Sequence, residues 1–273
     1  MIFDPIKNAI NNFCFSRTGN LFVSLMNFRA LILNSDAHFK YNNHDLTYTV
    51  SSKNVSESRS LKFKHELQGG STYLKGIYHR GEDMGERYFL EEIDFFDGDL
   101  VFDCGANLGD LLLWFQNRSL NISYTGFEPS PYEFECLKNN IGAQEAKQIA
   151  LWNESKILDF YVNSQTADSS LIKPVSYKNV LKIQALTLNS FLDKNIKFLK
   201  LEAEGGELEV LEGAGDKIGK IEYIAADLGP ERGVNQESTL IPVSNFLKQN
   251  NFSLINSNPS RHTALFKNNA PCF

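Results

Sequence analysis

The stretch VFDCGANLGD, residues 101–110, decides the fold. An apolar run enters a glycine-rich turn and leaves it as a helix, the order of a strand, a ligand-binding turn and a helix N-terminus. Gly105 and Gly109 allow close backbone approach to a ligand, and with Asn107 between them the spacing is not the GxGxxG of dinucleotide binders. Outward to the C-terminus, short apolar runs alternate with helical stretches, the pattern of βαβ units. Strands are expected at 100–104, 122–127, 146–151, 196–201, 222–228, 252–256 and 262–266, with helices at 108–118, 131–141, 206–214 and 238–250. ILDFYV (157–162) and NVLKIQAL (179–186) read as an inserted or edge pair. Only NPSR (258–261) separates the last two strands, too short for a helical crossover, so they must be antiparallel. The expected fold is α/β: a doubly wound, Rossmann-like sheet, mostly parallel, ending in an antiparallel hairpin.

Residues 1–95 read differently. Apolar positions at helical spacing over residues 5–34 predict one or two helices, while LTYTV (46–50) and LKFKHEL (61–67) alternate with period two around a polar connection, Ser51 to Ser60. This N-terminal α+β appendage is expected to serve as a lid, an acceptor-binding region or an oligomerisation region, with 96–273 as the ligand-binding domain. A homodimer is left open.

A net charge of −6 and a pI near 5.5 give no basic field for a phosphate backbone, so nucleic acid is not the expected partner. The four cysteines lack metal-ligand spacing and read as reduced thiols, which suits a cytoplasmic location. No apolar run approaches the ~20 residues of a membrane span. No metal ligand is assigned and metal dependence is left open, since clustered carboxylates could hold Mg²⁺ but no spacing demands it.

Two carboxylates shape the ligand reading. Asp103 precedes the turn, where it would repel a pyrophosphate but accept from an ammonium group. Glu128, in YTGFEPSP at the end of the next strand, is placed to take ribose hydroxyls. Charge therefore favours a zwitterionic sulfonium ligand. The expected cofactor set is Asp103, Gly105, Ala106, Asn107 and Gly109 from the turn, Glu128, Pro129 and Ser130 from the second strand end, and Ala150, Leu151 and Ser169 farther on, near Ala167 to Ser170.

Together VFDCGANLGD, GFEPSPYEFECLKNN, DSSL (168–171), TLNSFLDKNIKFLKLEAEGGELEVLEGA (187–214), AADLGPERG (225–233) and RHTALFKN (261–268) resemble the FkbM-type methyltransferases, over roughly residues 80–267. The resemblance implies S-adenosylmethionine as cofactor and O-methylation of a sugar, a sugar nucleotide, a glycan or a macrolide-type product. The family pattern Lys-Ile-Asp-Val-Glu-Gly reads here as KLEAEG, so Glu202 stands in place of an aspartate.

Methyl transfer to a hydroxyl needs an aligned acceptor oxygen and a group to remove its proton. Glu202, Glu204 and Asp227 sit at strand ends on the expected cofactor edge, and His79 could reach down from the appendage. These four are the catalytic candidates. Glu202 and Glu204 share a side only if the extended conformation persists past Leu201, and Gly205 and Gly206 argue that it does not. Glu207 and Glu209 read as structural helix N-terminal carboxylates. Arg80, Arg232 and His262 are the acceptor-binding candidates, the arginines suiting an anionic group. The competing readings are a nicotinamide-dependent oxidoreductase, disfavoured by the missing GxGxxG, and a non-catalytic scaffold on the same fold.

Overall fold

The computed structural model describes residues 4–52, 59–163 and 169–270, with side chains from residue 8 onward. Ala167, Asp168, Cys272 and the middle of the Ser51–Ser60 connection lie outside the described residues.

The central sheet has seven strands: β4 (Leu100–Cys104), β5 (Ser123–Phe127), β6 (Ala146–Lys147), β10 (Ile196–Leu201), β11 (Ile221–Asp227), β12 (Phe252–Asn258) and β13 (Thr263–Asn268). Their order is β12-β13-β11-β10-β4-β5-β6, parallel except that β13 runs antiparallel to both β11 and β12. Strands β10 and β11 are buried almost throughout, as expected where helices cover both faces of a parallel sheet. After β4 the chain builds outward through β5 and β6, then returns to place β10 on the other side. The crevice of a doubly wound sheet opens at such a reversal, at the carboxyl ends of β4 and β10.

Helices α5 (Leu111–Asn117), α6 (Pro131–Ile141), α7 (Glu207–Glu212) and α8 (Leu240–Gln249) lie where the sequence predicts them, with trimmed ends. The run 146–151 is not one strand. Ala146–Lys147 edges the central sheet, whereas β7 (Ala150–Trp152) pairs in parallel with β9 (Asn179–Thr187), which pairs antiparallel with β8 (Lys156–Val162). The backbone groups of β7 find partners in the inserted sheet, which local apolar pattern does not encode.

The N-terminal region holds α1 (Asp4–Phe15), α2 (Gly19–Ile32) and an antiparallel sheet of β1 (Ala37–Asn42), β2 (Thr47–Ser52) and β3 (Ser60–Phe63). Strand β1 extends the expected hairpin. Asn27 of α2 clasps it, donating to Phe39 O at 2.9 Å and accepting from Phe39 N at 2.8 Å. LKFKHEL stops being a strand at Phe63. Helix α3 (Glu66–Tyr73) follows, because Gly69 lets the helix seat on the Phe63 ring, which a Cβ there would meet at 2.0 Å.

Helix α4 (Ile77–Arg87) contains His79 and Arg80. It packs closely on α5 through Gly81, against the Leu113 backbone, and Gly85, against Trp114. The aromatic core of Phe22, Phe39, Tyr48, Phe63 and Tyr73 runs on into Leu108, Leu113 and Cys136, so the N-terminal region shares a hydrophobic core with the part that follows.

Candidate active site

A cavity of about 390 Å³ lies at the carboxyl ends of β4 and β10. Its floor is the turn after β4, where Gly105, Asn107 and Gly109 take φ of 70°, 50° and 86°. Gly105 N and Ala106 N both donate to Phe127 O at 3.0 Å, tying the turn to β5. A Cβ on Gly105 would lie 2.0 Å from Glu202 O, so only glycine lets the turn and the end of β10 meet backbone to backbone. Gly109 does not line the cavity. A Cβ there would meet Ile141 of α6 at 2.6 Å, so this glycine serves packing.

Behind the turn lies a buried ionic chain. Lys200 Nζ, on β10, sits 3.0 Å from Asp103 Oδ1 and 2.9 Å from Glu202 Oε2, and donates to Gly105 O at 2.6 Å. Tyr124 OH donates to Asp103 Oδ2. Arg87 of α4 continues the chain, its Nη2 lying 3.2 Å from Glu202 Oε1 and 2.7 Å from Asp227 Oδ2. Burial alone would raise the Glu202 carboxyl, but Lys200 and Arg87 outweigh it and hold it down at about 2. Burial pushes Asp103 up, and pushes Asp227 up with help from Glu202. Burial would lower the Lys200 ammonium, yet Asp103 and Glu202 keep it well above the usual lysine range.

Glu128 closes the other side. Its Oε2 accepts from Asn107 N and its Oε1 from Ser130 N, both at 2.8 Å. Burial, then Glu133, pushes its carboxyl up to about 8 against those two amides. Each carboxylate oxygen keeps a second lone pair for a ligand hydroxyl.

Several expected residues meet here. Asp103, Gly105, Ala106, Asn107, Glu128, Pro129, Ser130, Ala150, Leu151 and Ser169 all line the one cavity, with Glu202, Glu204 and Arg80. Others do not. Asp227 lies beneath the lining, held by Arg87 and by Gly229 N at 3.2 Å. His79 and His262 are exposed and outside the lining. Arg232 also stands outside it, its guanidinium spent on Gly205 O at 2.5 Å and Glu209 at 2.6 Å.

Beyond Leu201 the extended conformation ends, as the glycines indicate: Glu204 takes φ 49°, and its carbonyl accepts from Ser170 Oγ at 2.8 Å. Glu207 accepts from Ala203 N, Gly205 N and Thr239 Oγ1, and so anchors this turn. Arg80 donates to Asp110 Oδ2 at 2.7 Å, and Asp110 Oδ1 accepts from Tyr73 OH at 2.5 Å.

Lys200, Arg87, Tyr124, Asp110 and Glu231 escape the sequence reading. Lys200 carried a signal, a lysine inside the apolar run IKFLKL, whereas Arg87 carried none because its partners lie far along the chain.

The strand order and the cavity define a class I S-adenosylmethionine-dependent methyltransferase fold. The chain belongs to the family described as the methyltransferase FkbM domain, which matches residues 103–254. "Methyltransferase 1" of Beauveria bassiana (strain ARSEF 2860) is 24% identical over 150 residues, a match that covers 44% of this chain and 60% of that relative's length. Among solved structures, the N-terminal domain of human METTL16 in complex with SAH matches with a TM-score of 0.38 and 13% identity, over 70% of this chain and 68% of that one. A SAM-dependent methyltransferase from Aquifex aeolicus matches with a TM-score of 0.39 and 11% identity, over 69% and 95%.

S-adenosylmethionine is the cofactor of this family and fold, and the residues present suit it. Asn107 Oδ1 is buried without a hydrogen-bond donor, Asp103 Oδ1 meets only Lys200 Nζ, and both residues line the cavity. A buried acceptor lacking a donor is costly unless a ligand brings one, as a ribose hydroxyl or an ammonium group would.

Proposed function

We propose that this protein is an S-adenosylmethionine-dependent O-methyltransferase acting on a hydroxyl of a sugar, a sugar nucleotide or a glycan. In this reading residues 1–95 form the acceptor side, 96–273 the methyltransferase domain, and the location is cytoplasmic. The observation that carries the proposal is the lining of the cavity beyond the cofactor turn. Gln68, Ser71 and Thr72 of α3 face the site with Arg80, Arg87, Glu202, Glu204 and Glu231, a mixture of donors and acceptors suited to a polyhydroxylated molecule. The acidic chain as a whole disfavours nucleic acid.

When bound, the cofactor supplies the electrophilic methyl group. Asp103, Asn107 and Glu128 bind its amino-acid and ribose portions. Glu202, held ionised between Lys200 and Arg87, orients the acceptor as a hydrogen-bond acceptor but is a weak base. Glu231 lines the cavity as a solvent-exposed residue, and desolvation, then Asp227 and Glu202, push its carboxyl up to about 8. A carboxylate so tuned takes a proton near neutral pH far better than Glu202. We assign the acceptor hydroxyl's proton to Glu231, with Asp227 positioning Arg87.

Two measurements test this. Incubation with S-adenosylmethionine and a panel of nucleotide sugars and glycans is expected to yield a methyl ether by mass spectrometry. Binding of S-adenosylhomocysteine with no methylation of any hydroxylated acceptor would sink the acceptor assignment, and no cofactor binding at all would favour the scaffold. At saturating cofactor, kcat is expected to rise with pH through about 8. Glu231→Gln should cost about 10²–10⁴-fold in kcat and flatten the profile. An unchanged profile in that variant removes Glu231 from the chemistry.

A further inference from the structure

Between Asp4 and Asp36 every charged residue is basic, Lys7, Arg17 and Arg29, in a chain whose net charge is −6. That segment is the α1–α2 hairpin less its first residue, Asp4. Helix α2 buries Phe22, Met26 and Ala30 against the N-terminal sheet, yet its opposite side is not polar. Leu21, Phe28 and Ile32, at i, i+7 and i+11 on one helical face, are 56%, 61% and 66% exposed, with Leu31 and Leu33 exposed beside them. Helix α1 adds exposed Ile10 and Phe13. Single exposed leucines are ordinary on any surface, but this many large apolar side chains clustered on one face, with only Ser24 polar among them, mark an interaction site.

Charge identifies the occupant. The half-exposed Arg17 guanidinium lies 4.6 Å from the centre of the exposed Phe13 ring, whereas Arg29 is turned inward, donating to Asn11 Oδ1 at 2.7 Å. A second copy of this chain would bring two basic segments together, whereas an anionic lipid headgroup layer meets both the apolar face and the cations. We propose that the α1–α2 hairpin docks this protein on an anionic membrane surface.

No helix among the described residues is long and apolar enough to cross a membrane, so the hairpin lies in the interface plane. There an apolar helix face inserts ~5–10 Å into the headgroup boundary, with Arg17 among the phosphates. The acidic remainder of the chain is repelled from the same surface, which fixes orientation. Gly70 of α3 packs against Phe15 of α1 and Phe22 of α2, and α3 supplies Gln68, Ser71 and Thr72 to the cavity lining. Docking therefore holds the helix at the cavity rim close to the lipid surface.

Cosedimentation of the full chain with vesicles is the test. The protein is expected to pellet with phosphatidylcholine–phosphatidylglycerol vesicles and not with phosphatidylcholine alone, and the bound fraction should fall with added salt. Phe28→Ser/Ile32→Ser and, separately, Arg17→Glu should each weaken binding by at least about tenfold while S-adenosylhomocysteine affinity and far-UV circular dichroism stay unchanged. These residues are exposed or half-exposed, so folding survives their substitution. Native protein left in the supernatant with anionic vesicles overturns the proposal, as does equal binding by the variants. A dimer in light scattering that Phe28→Ser/Ile32→Ser dissociates, without lipid binding, overturns it in favour of a second copy on this face.

Discussion

Replacing Lys200 by methionine is expected to lower the unfolding free energy by about 3–5 kcal/mol, the cost of breaking a buried ion pair from one side. The Lys200 side chain is 3% exposed and is the cation that Asp103 and Glu202 share behind the turn after β4. Without it two carboxylates face each other across a desolvated space, and Gly105 O loses its 2.6 Å donor. Urea unfolding measures the loss. Adding Asp103→Asn to the Lys200→Met protein should restore part of it, because removing the second charge leaves fewer unpaired groups. A Lys200→Met protein as stable as the native one would show that the ionic chain carries no weight in the fold.

The acid side gives a second readout. The folded-state value for Glu202, about 2, lies below its ordinary 4.5. A depressed carboxylate contributes stability that is present above the higher value and is lost as pH falls through the lower one. Native stability should therefore fall between about pH 4.5 and 2 through this group, a slope that Lys200→Met largely removes.

Glu128→Ala is expected to raise the Kd for S-adenosylhomocysteine about 100-fold, or ~2.8 kcal/mol at about 1.4 kcal/mol per decade, with little change in fold. Isothermal titration checks it. The pH dependence follows from the raised carboxyl, about 8 in the free protein. Ribose hydroxyls donating to Glu128 favour its ionised form, so binding releases a proton below pH 8. Affinity should rise with pH up to about 8 and level off above it, and Glu128→Gln should abolish the rise. For stability the sign is opposite. A carboxyl raised from 4.5 to about 8 contributes most below pH 4.5, and that contribution is lost as pH climbs through 8. Unchanged affinity in Glu128→Ala would remove this residue from the cofactor site.

The parallel core was legible in the sequence because strands buried on both faces are written as apolar runs, as in LVFDC and IKFLKL, and because each end is punctuated by glycine, proline or a carboxylate. The terminal antiparallel hairpin was legible because NPSR is too short to cross the sheet. Helix α3 was not legible. With Gly69 and Gly70 at its centre local propensity opposes it, and only packing against Phe63, Phe15 and Phe22 explains both glycines.

The sequence by itself determined the order of the central-sheet strands and their helices, the glycine turn after β4 and the two carboxylates Asp103 and Glu128 beside it, since these depend on local periodicity and on residues adjacent in the chain. Only the tertiary structure decided which carboxylates stay charged. Glu202, Asp227 and Glu231 look alike in the sequence, but Lys200 and Arg87 hold the first down at about 2, while burial and neighbouring carboxylates push the third up to about 8. Arg87 comes from α4, far away in the chain, and even for the neighbouring Lys200 electrostatic energy depends on distance in space and on exclusion of water, neither of which residue order specifies.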